Sequence, residues 1–181
     1  MKRNGLIVSV FGSNAPRDGE PDYETARRLG RALAQAGYVV ATGGYAGTME
    51  ATSRGAKEAG GYVVGVTTAV YDDVRPGANL YLDEEIKFPT LFQRLRHLVT
   101  FADAWVALPG GIGTLSEVAL AWSLMQAGEI ARKPFVVVGG MWRKMLQEFS
   151  GNGYVDAKYH ELIRYADNVE QALPLLSRRE M

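Results

Sequence analysis

A chain of 181 residues, 47% hydrophobic and 22% charged, holds enough for one domain with a full core and too little for two. Its 20 basic and 20 acidic residues cancel without a basic run, which removes the electrostatic footprint of a nucleic-acid partner. The absence of cysteine excludes disulfides, thiolate nucleophiles and Cys-ligated metal, and two histidines, His97 and His160, leave little for a multi-His metal site or a nucleophile–His–acid triad. A cytoplasmic chain with neither metal nor cofactor is the expectation, with residues 1–181 as a single domain.

Lys2 and Arg3 ahead of the run Leu6 to Phe11 faintly mimic a signal peptide, but the run closes on Gly12-Ser13 too soon and reads as a first buried strand. A helical pattern over 23–36 follows, stopped by Gly37, then a strand at 38–42. A helix at 48–59, stopped by Gly60-Gly61, leads into a strand at 62–66. Residues 67–89 are the least regular, with room for a turn or short strand near 80–82. Beyond them come a helix at 90–101, a strand at 104–107, a helix at 114–125, a strand at 135–138, and helices near 142–149 and 169–176. Short apolar strands alternating with helices imply right-handed crossovers, hence an α/β, Rossmann-like, doubly wound parallel sheet with helices on both faces. No run approaches the roughly 18 apolar residues of a membrane span, so no membrane partner is expected.

Ligands of such sheets bind beyond the carboxyl ends of the strands, which singles out the loops after Phe11, Thr42, Val66 and Ala107. In Leu108-Pro-Gly-Gly-Ile-Gly-Thr114-Leu-Ser-Glu117, a helix starting at Thr114 after three glycines places backbone N–H groups and a positive helix end around a space suited to phosphate. Equally, glycines make tight turns, and Thr114 to Glu117 fits a capping box. No Lys follows Gly113, which excludes a nucleoside-triphosphatase P-loop. The loop Gly43-Gly44-Tyr-Ala-Gly47-Thr48-Met-Glu50 lacks the dinucleotide spacing and disfavours NAD; it lets the chain approach either a ligand or the neighbouring glycine loop. Gly12-Ser13 offers a donor and a hydroxyl at the same edge.

In the helix at 90–101, Leu91, Phe92, Leu95, Leu98, Val99 and Ala102 make an apolar face with Arg94 and Arg96 on its flanks, free to snorkel, while His97 points to solvent or an interface. Leu120, Trp122, Leu124 and Met125 give the helix at 114–125 more apolar surface than one stripe needs. A second subunit would cover it, or else the chain from Gly151 onward.

Pro109-Gly-Gly-Ile-Gly-Thr-Leu-Ser-Glu117, with Arg94, Ala102-Asp-Ala104 and Gly12-Ser13, resembles the LONELY GUY (LOG) family, often labelled lysine decarboxylase-like; every fixed position of P-G-G-x-G-T-x-x-E is matched. The resemblance implies a phosphoribohydrolase that cleaves the N-glycosidic bond of an adenosine 5′-monophosphate, with or without an N6 substituent, to free base and ribose 5-phosphate. Arg94 and Glu117 would be catalytic, with Arg94 either neutralising the substrate or orienting Glu117 through a bidentate pair that keeps the carboxylate ionised. Gly110, Gly111, Gly113 and Thr114 would hold phosphate, with Gly12, Ser13, Gly43 and Gly44 completing the nucleotide site. A homodimer or higher homo-oligomer with sites near the interface is likewise implied. Two departures, Leu95 where the family has Lys and Glu50 in the second loop, keep open a non-catalytic nucleotide or molybdenum-cofactor carrier. Lysine decarboxylation is excluded, because a Schiff-base Lys is required and none of Lys2, Lys57, Lys87, Lys133, Lys144 and Lys158 lies in the glycine loops.

Overall fold

In the computed structural model, residues 5–74 and 76–176 are described. Strands and helices alternate as β1 (Ile7–Phe11), α1 (Pro21–Gln35), β2 (Val39–Thr42), α2 (Thr48–Glu58), β3 (Val63–Thr68), β4 (Glu84–Phe88), α3 (Leu91–Thr100), β5 (Ala104–Ala107), α4 (Ile112–Ala127), β6 (Phe135–Val138), α5 (Gly140–Ser150), α6 (Ala157–His160), β7 (Arg164–Ala166) and α7 (Val169–Leu175). All pairings are parallel, in the order β4-β3-β2-β1-β5-β6-β7. Lys2 and Arg3 lie outside the described residues.

The five apolar runs form the middle of the sheet because helices cover both their faces, so every residue of β1, β2, β3, β5 and β6 is buried. Alternation along the strands splits the core in two. Phe11, Trp105 and Phe135 pack with Leu98, Val118 and Trp142 on one side, while Val8, Val40 and Val106 pack with Leu29, Leu33 and Ala51 on the other. At the amino-terminal edge, Asp103 Oδ2 accepts from Ile7 N at 2.8 Å and Lys133 Nζ donates to Thr100 O at 3.1 Å, which spends both charges on structure.

Two edge strands correct the expected count. β4 reads Glu-Glu-Ile-Lys-Phe and alternates half-buried and exposed positions, as a charged edge does; it follows residues 80–82, where a turn or short strand was expected and Leu80 and Tyr81 form a turn. β7 has three residues, too short for a readable period.

The apolar excess of α4 is partly covered from within the chain. Trp122 is 8% exposed, its Nε1 donates to Tyr159 O at 2.9 Å, and its ring meets Phe149 edge-on. Leu120 and Leu124 are partly buried against the same core cluster as Val155 and Tyr159. The segment after Gly151 thus takes part of this surface, the alternative cover expected from the sequence, while Leu120 and Leu124 stay partly exposed. Among the described residues, no helix is long and apolar enough to cross a membrane.

Candidate active site

β1 and β5 are neighbours at the centre of the sheet, and the chain leaves them toward opposite sides. A cleft of about 520 Å³ opens at this switch point, between the loop after β1, the start of α2, α3 and the start of α4. Gly12 and Ser13 form one wall and Gly111, Gly113 and Thr114 another. Ser13 O accepts from Thr48 N at 2.8 Å and from Thr48 Oγ1 at 3.0 Å, fastening the first loop to α2; a Cβ on Gly12 would stand 2.3 Å from that hydroxyl.

α4 begins at Ile112 rather than Thr114, with Gly111 at its cap and no side chain bonded there. The expected capping box is thus corrected. Thr114 and Glu117 sit inside the helix, the amino-terminal turn opens on the cleft, and Glu117 turns inward, 6% exposed. Gly110 lies behind this wall, in a turn so tight that a Cβ would stand 2.2 Å from Thr114 Oγ1.

Arg94 is not a snorkelling flank residue; it is 7% exposed, one turn before buried Leu98, whereas Phe92, expected on the apolar face, is 71% exposed, and Leu91 is also exposed. The Arg94 guanidinium donates through Nε to Val66 O at 2.8 Å and through Nη2 to Gly43 O at 3.3 Å. Its Nη1 lies 3.6 Å from Glu117 Oε1. The fork is spent on backbone carbonyls, so the bidentate pair expected with Glu117 is replaced by one loose contact. Burial then outweighs the nearby cation and pushes the Glu117 carboxyl up to about 7. Such a carboxyl exchanges its proton near neutral pH, as a general base requires.

Gly43 stands behind Arg94, where a Cβ would meet Nη2 at 2.2 Å and Met49 Sδ at 2.6 Å. Gly44 turns away. Its φ is +78°, its N–H donates to Thr42 Oγ1 at 3.1 Å and its carbonyl accepts from Asn79 N at 2.8 Å. Neither glycine lines the cleft itself: Gly43 makes room for the Arg94 guanidinium and Gly44 shapes the loop behind it. His97 is also away from the cleft, half-buried between Phe88 and Phe101 rather than solvated, because α3 turns it toward β4. Leu91 and Leu95 join the lining, and Asn14, Ala15, Arg17, Met49, Tyr71 and Ser116 complete it without having been singled out. Arg17 was findable as the one basic residue in the loop after β1; Tyr71 arrives from a 3₁₀ turn at Ala69–Tyr71 that carries no local signal. Among the described residues, no cluster of His, Asp or Glu stands placed for a metal, and no lysine lines the cleft.

Residues 5–168 match the model of the SLOG cluster4 family. A cytokinin riboside 5′-monophosphate phosphoribohydrolase of Mycobacterium tuberculosis is 33% identical over 92% of this chain and 90% of its own length. Among solved structures, the molybdenum cofactor binding protein of Rippkaea orientalis superposes with a TM-score of 0.72 at 26% identity, over 96% of each chain. The molybdenum cofactor carrier protein of Chlamydomonas reinhardtii gives a TM-score of 0.72 at 26% identity, over 94% of this chain and 95% of its own.

Proposed function

Because the chain belongs to the SLOG cluster4 family of LONELY GUY-like proteins, we propose that it is a cytoplasmic phosphoribohydrolase that hydrolyses the N-glycosidic bond of an adenosine 5′-monophosphate, with or without an N6 substituent. One observation carries the reading: a buried carboxyl poised near neutrality, Glu117, shares a cleft wall with an uncapped helix start. The 5′-phosphate is held at the first turn of α4 by Gly111, Gly113 and Thr114, where the helix dipole and backbone amides favour an anion. The ribose lies over Glu117, and the base meets the apolar side formed by Met49, Leu91 and Leu95.

As the bond to the base stretches, positive charge grows on the ribose, and the Glu117 carboxylate opposes it in a site that excludes much of the water. The same carboxylate takes a proton from the attacking water, whose oxygen bonds to C1′. The C1′–N electron pair leaves with the base, which is protonated from solvent. Arg94 holds the carboxylate in place and keeps enough of it ionised to act. Incubation with AMP and isopentenyl-AMP is expected to release free base and ribose 5-phosphate in equal amounts. The second reading, a carrier that binds a nucleotide or molybdenum cofactor unchanged, draws on the two cofactor-binding neighbours. It requires the opposite outcome, a raised melting temperature with intact ligand.

The minimum unit we propose is a symmetric homodimer built on the exposed apolar side chains of Leu91 and Phe92 in α3 and Ile112 in α4. Phe92→Glu should convert it to monomer by setting an unpaired charge in an apolar contact, read by light scattering. A wild-type mass equal to one chain would refute the dimer.

A further inference from the structure

The two carbonyls that aim Arg94 belong to separate segments. Gly43 O comes from the loop between β2 and α2, and Val66 O from β3. Their spacing sets where the guanidinium points, and Tyr45 ties the two segments together. Its hydroxyl donates to Thr68 O at 3.0 Å and accepts from Thr68 N at 2.8 Å, closing on both backbone groups of one residue. Tyr45 follows Gly43 by two residues, and Thr68 follows Val66 by two. The clamp therefore sits one short step beyond each carbonyl.

The ring adds a second constraint. Tyr45 is 3% exposed, its centroid is 5.9 Å from Arg94 Cζ, and Tyr71 packs edge-on against it at 5.7 Å. Asn79 holds the loop from outside, donating through Nδ2 to Tyr45 O at 3.1 Å and through its backbone N–H to Gly44 O at 2.8 Å. A hydroxyl bonded to main chain twice within a buried setting has little freedom, and a hydrogen bond lost there leaves Thr68 N–H and C=O without that partner.

We propose that Tyr45 is a positioning residue for the reaction, holding the β2–α2 loop against β3 so that the Arg94 guanidinium is aimed at Glu117. Tyr45 itself is buried and does not line the cleft. The contact it governs is the 3.6 Å approach of Arg94 Nη1 to Glu117 Oε1, a distance at which a small rotation of the guanidinium changes the interaction appreciably. Arg94 is also the charge that counters burial at Glu117. Loosening the clamp therefore weakens one known electrostatic contact.

The inference rests on the hydrolase reading for its kinetic consequence and not for its geometry, so the experiment has two independent readouts. Tyr45→Phe keeps the ring and removes the hydroxyl. With Arg94 retreating by about 2 Å, the titration midpoint of Glu117, followed by NMR of carbon-13-labelled glutamate in the unliganded protein, is expected to rise by about one pH unit. The base-releasing kcat at pH 7 is expected to fall about tenfold or more while KM stays within about threefold, since aim is lost and binding surface is kept. Asn79→Ala, which loosens the same loop but leaves the Thr68 clamp, should move the midpoint far less. A residue with a merely structural part would lower the melting temperature in both variants and leave the midpoint where it was; that result overturns the proposal. A shifted midpoint in a protein that releases no base from any adenylate would uphold the clamp and refute the hydrolase.

Discussion

Glu117→Gln is expected to give a protein that no longer turns over substrate and is nevertheless harder to unfold above neutral pH. Turnover should drop by about 10³-fold, because Gln preserves shape but supplies neither the charge opposite the ribose nor a base for the water. Stability moves the other way. The buried carboxyl holds its proton up to about 7, against an ordinary value of 4.5, so the folded protein binds that proton more tightly than the unfolded chain. Stability from this group is complete below about pH 4.5, declines as pH rises, and is lost above about 7. The deficit at pH 8 amounts to about 3 kcal/mol, and a neutral Gln removes it. Deleting one member of a buried ion pair ordinarily costs as much. Here the balance differs because Arg94 stays bonded to Val66 O and Gly43 O, and burial is the larger influence on the carboxyl. Thermal unfolding should show the variant about 5–10 °C above wild type at pH 8, and level with it near pH 4.5. A variant less stable at pH 8 would mean that the pair with Arg94 outweighs burial.

Gly55→Ala should act on the fold, and strongly. A Cβ at Gly55 would lie 1.9 Å from Arg27 O, and one at Gly30 would lie 2.0 Å from Thr52 O, so α1 and α2 meet backbone to backbone at these two glycines. Alanine gains about 1 kcal/mol in intrinsic helix propensity. That gain is smaller than the cost of parting two helices whose carbonyls cannot yield as a flexible side chain does. Overpacking of this kind costs about 3 kcal/mol or more, for a net loss of about 2–3 kcal/mol and a melting temperature lower by about 5–10 °C. Denaturant titration checks it, and an unchanged midpoint would show that the helices do not touch this closely.

These two glycines were invisible in the chain as read. Gly30 and Gly55 sit inside helical patterns where an isolated glycine looks like a weakness, and only the partner helix explains them. The central strands were legible because residues buried on both faces must be apolar throughout. β4 was not, because an edge strand carries charges for reasons of its own. For Arg94 and Glu117, helical periodicity misled. It placed Arg94 on a flank and Glu117 in a cap, while the motif resemblance assigned both to the site. Their burial has causes distant in sequence. The carbonyls that draw Arg94 inward come from residues 43 and 66, and the space it occupies exists because Gly43 has no side chain. Tyr45 shows the same limit. Its partner is the main chain of Thr68 at the end of β3, and no pattern within the loop announces it.

We propose that the Glu117 carboxylate drives release of the base from a nucleoside 5′-monophosphate. The most direct test is the rate of base release from AMP or isopentenyl-AMP across about pH 5.5 to 9 at limiting substrate, which reports the ionisation of the free protein. With the Glu117 carboxyl held near 7, the rate should rise with pH through that region and level off above it, and free base should match ribose 5-phosphate throughout. A rate that is flat across the range, or falls as pH rises through 7, would remove the carboxylate from the mechanism, and intact nucleotide at every pH would remove the reaction itself.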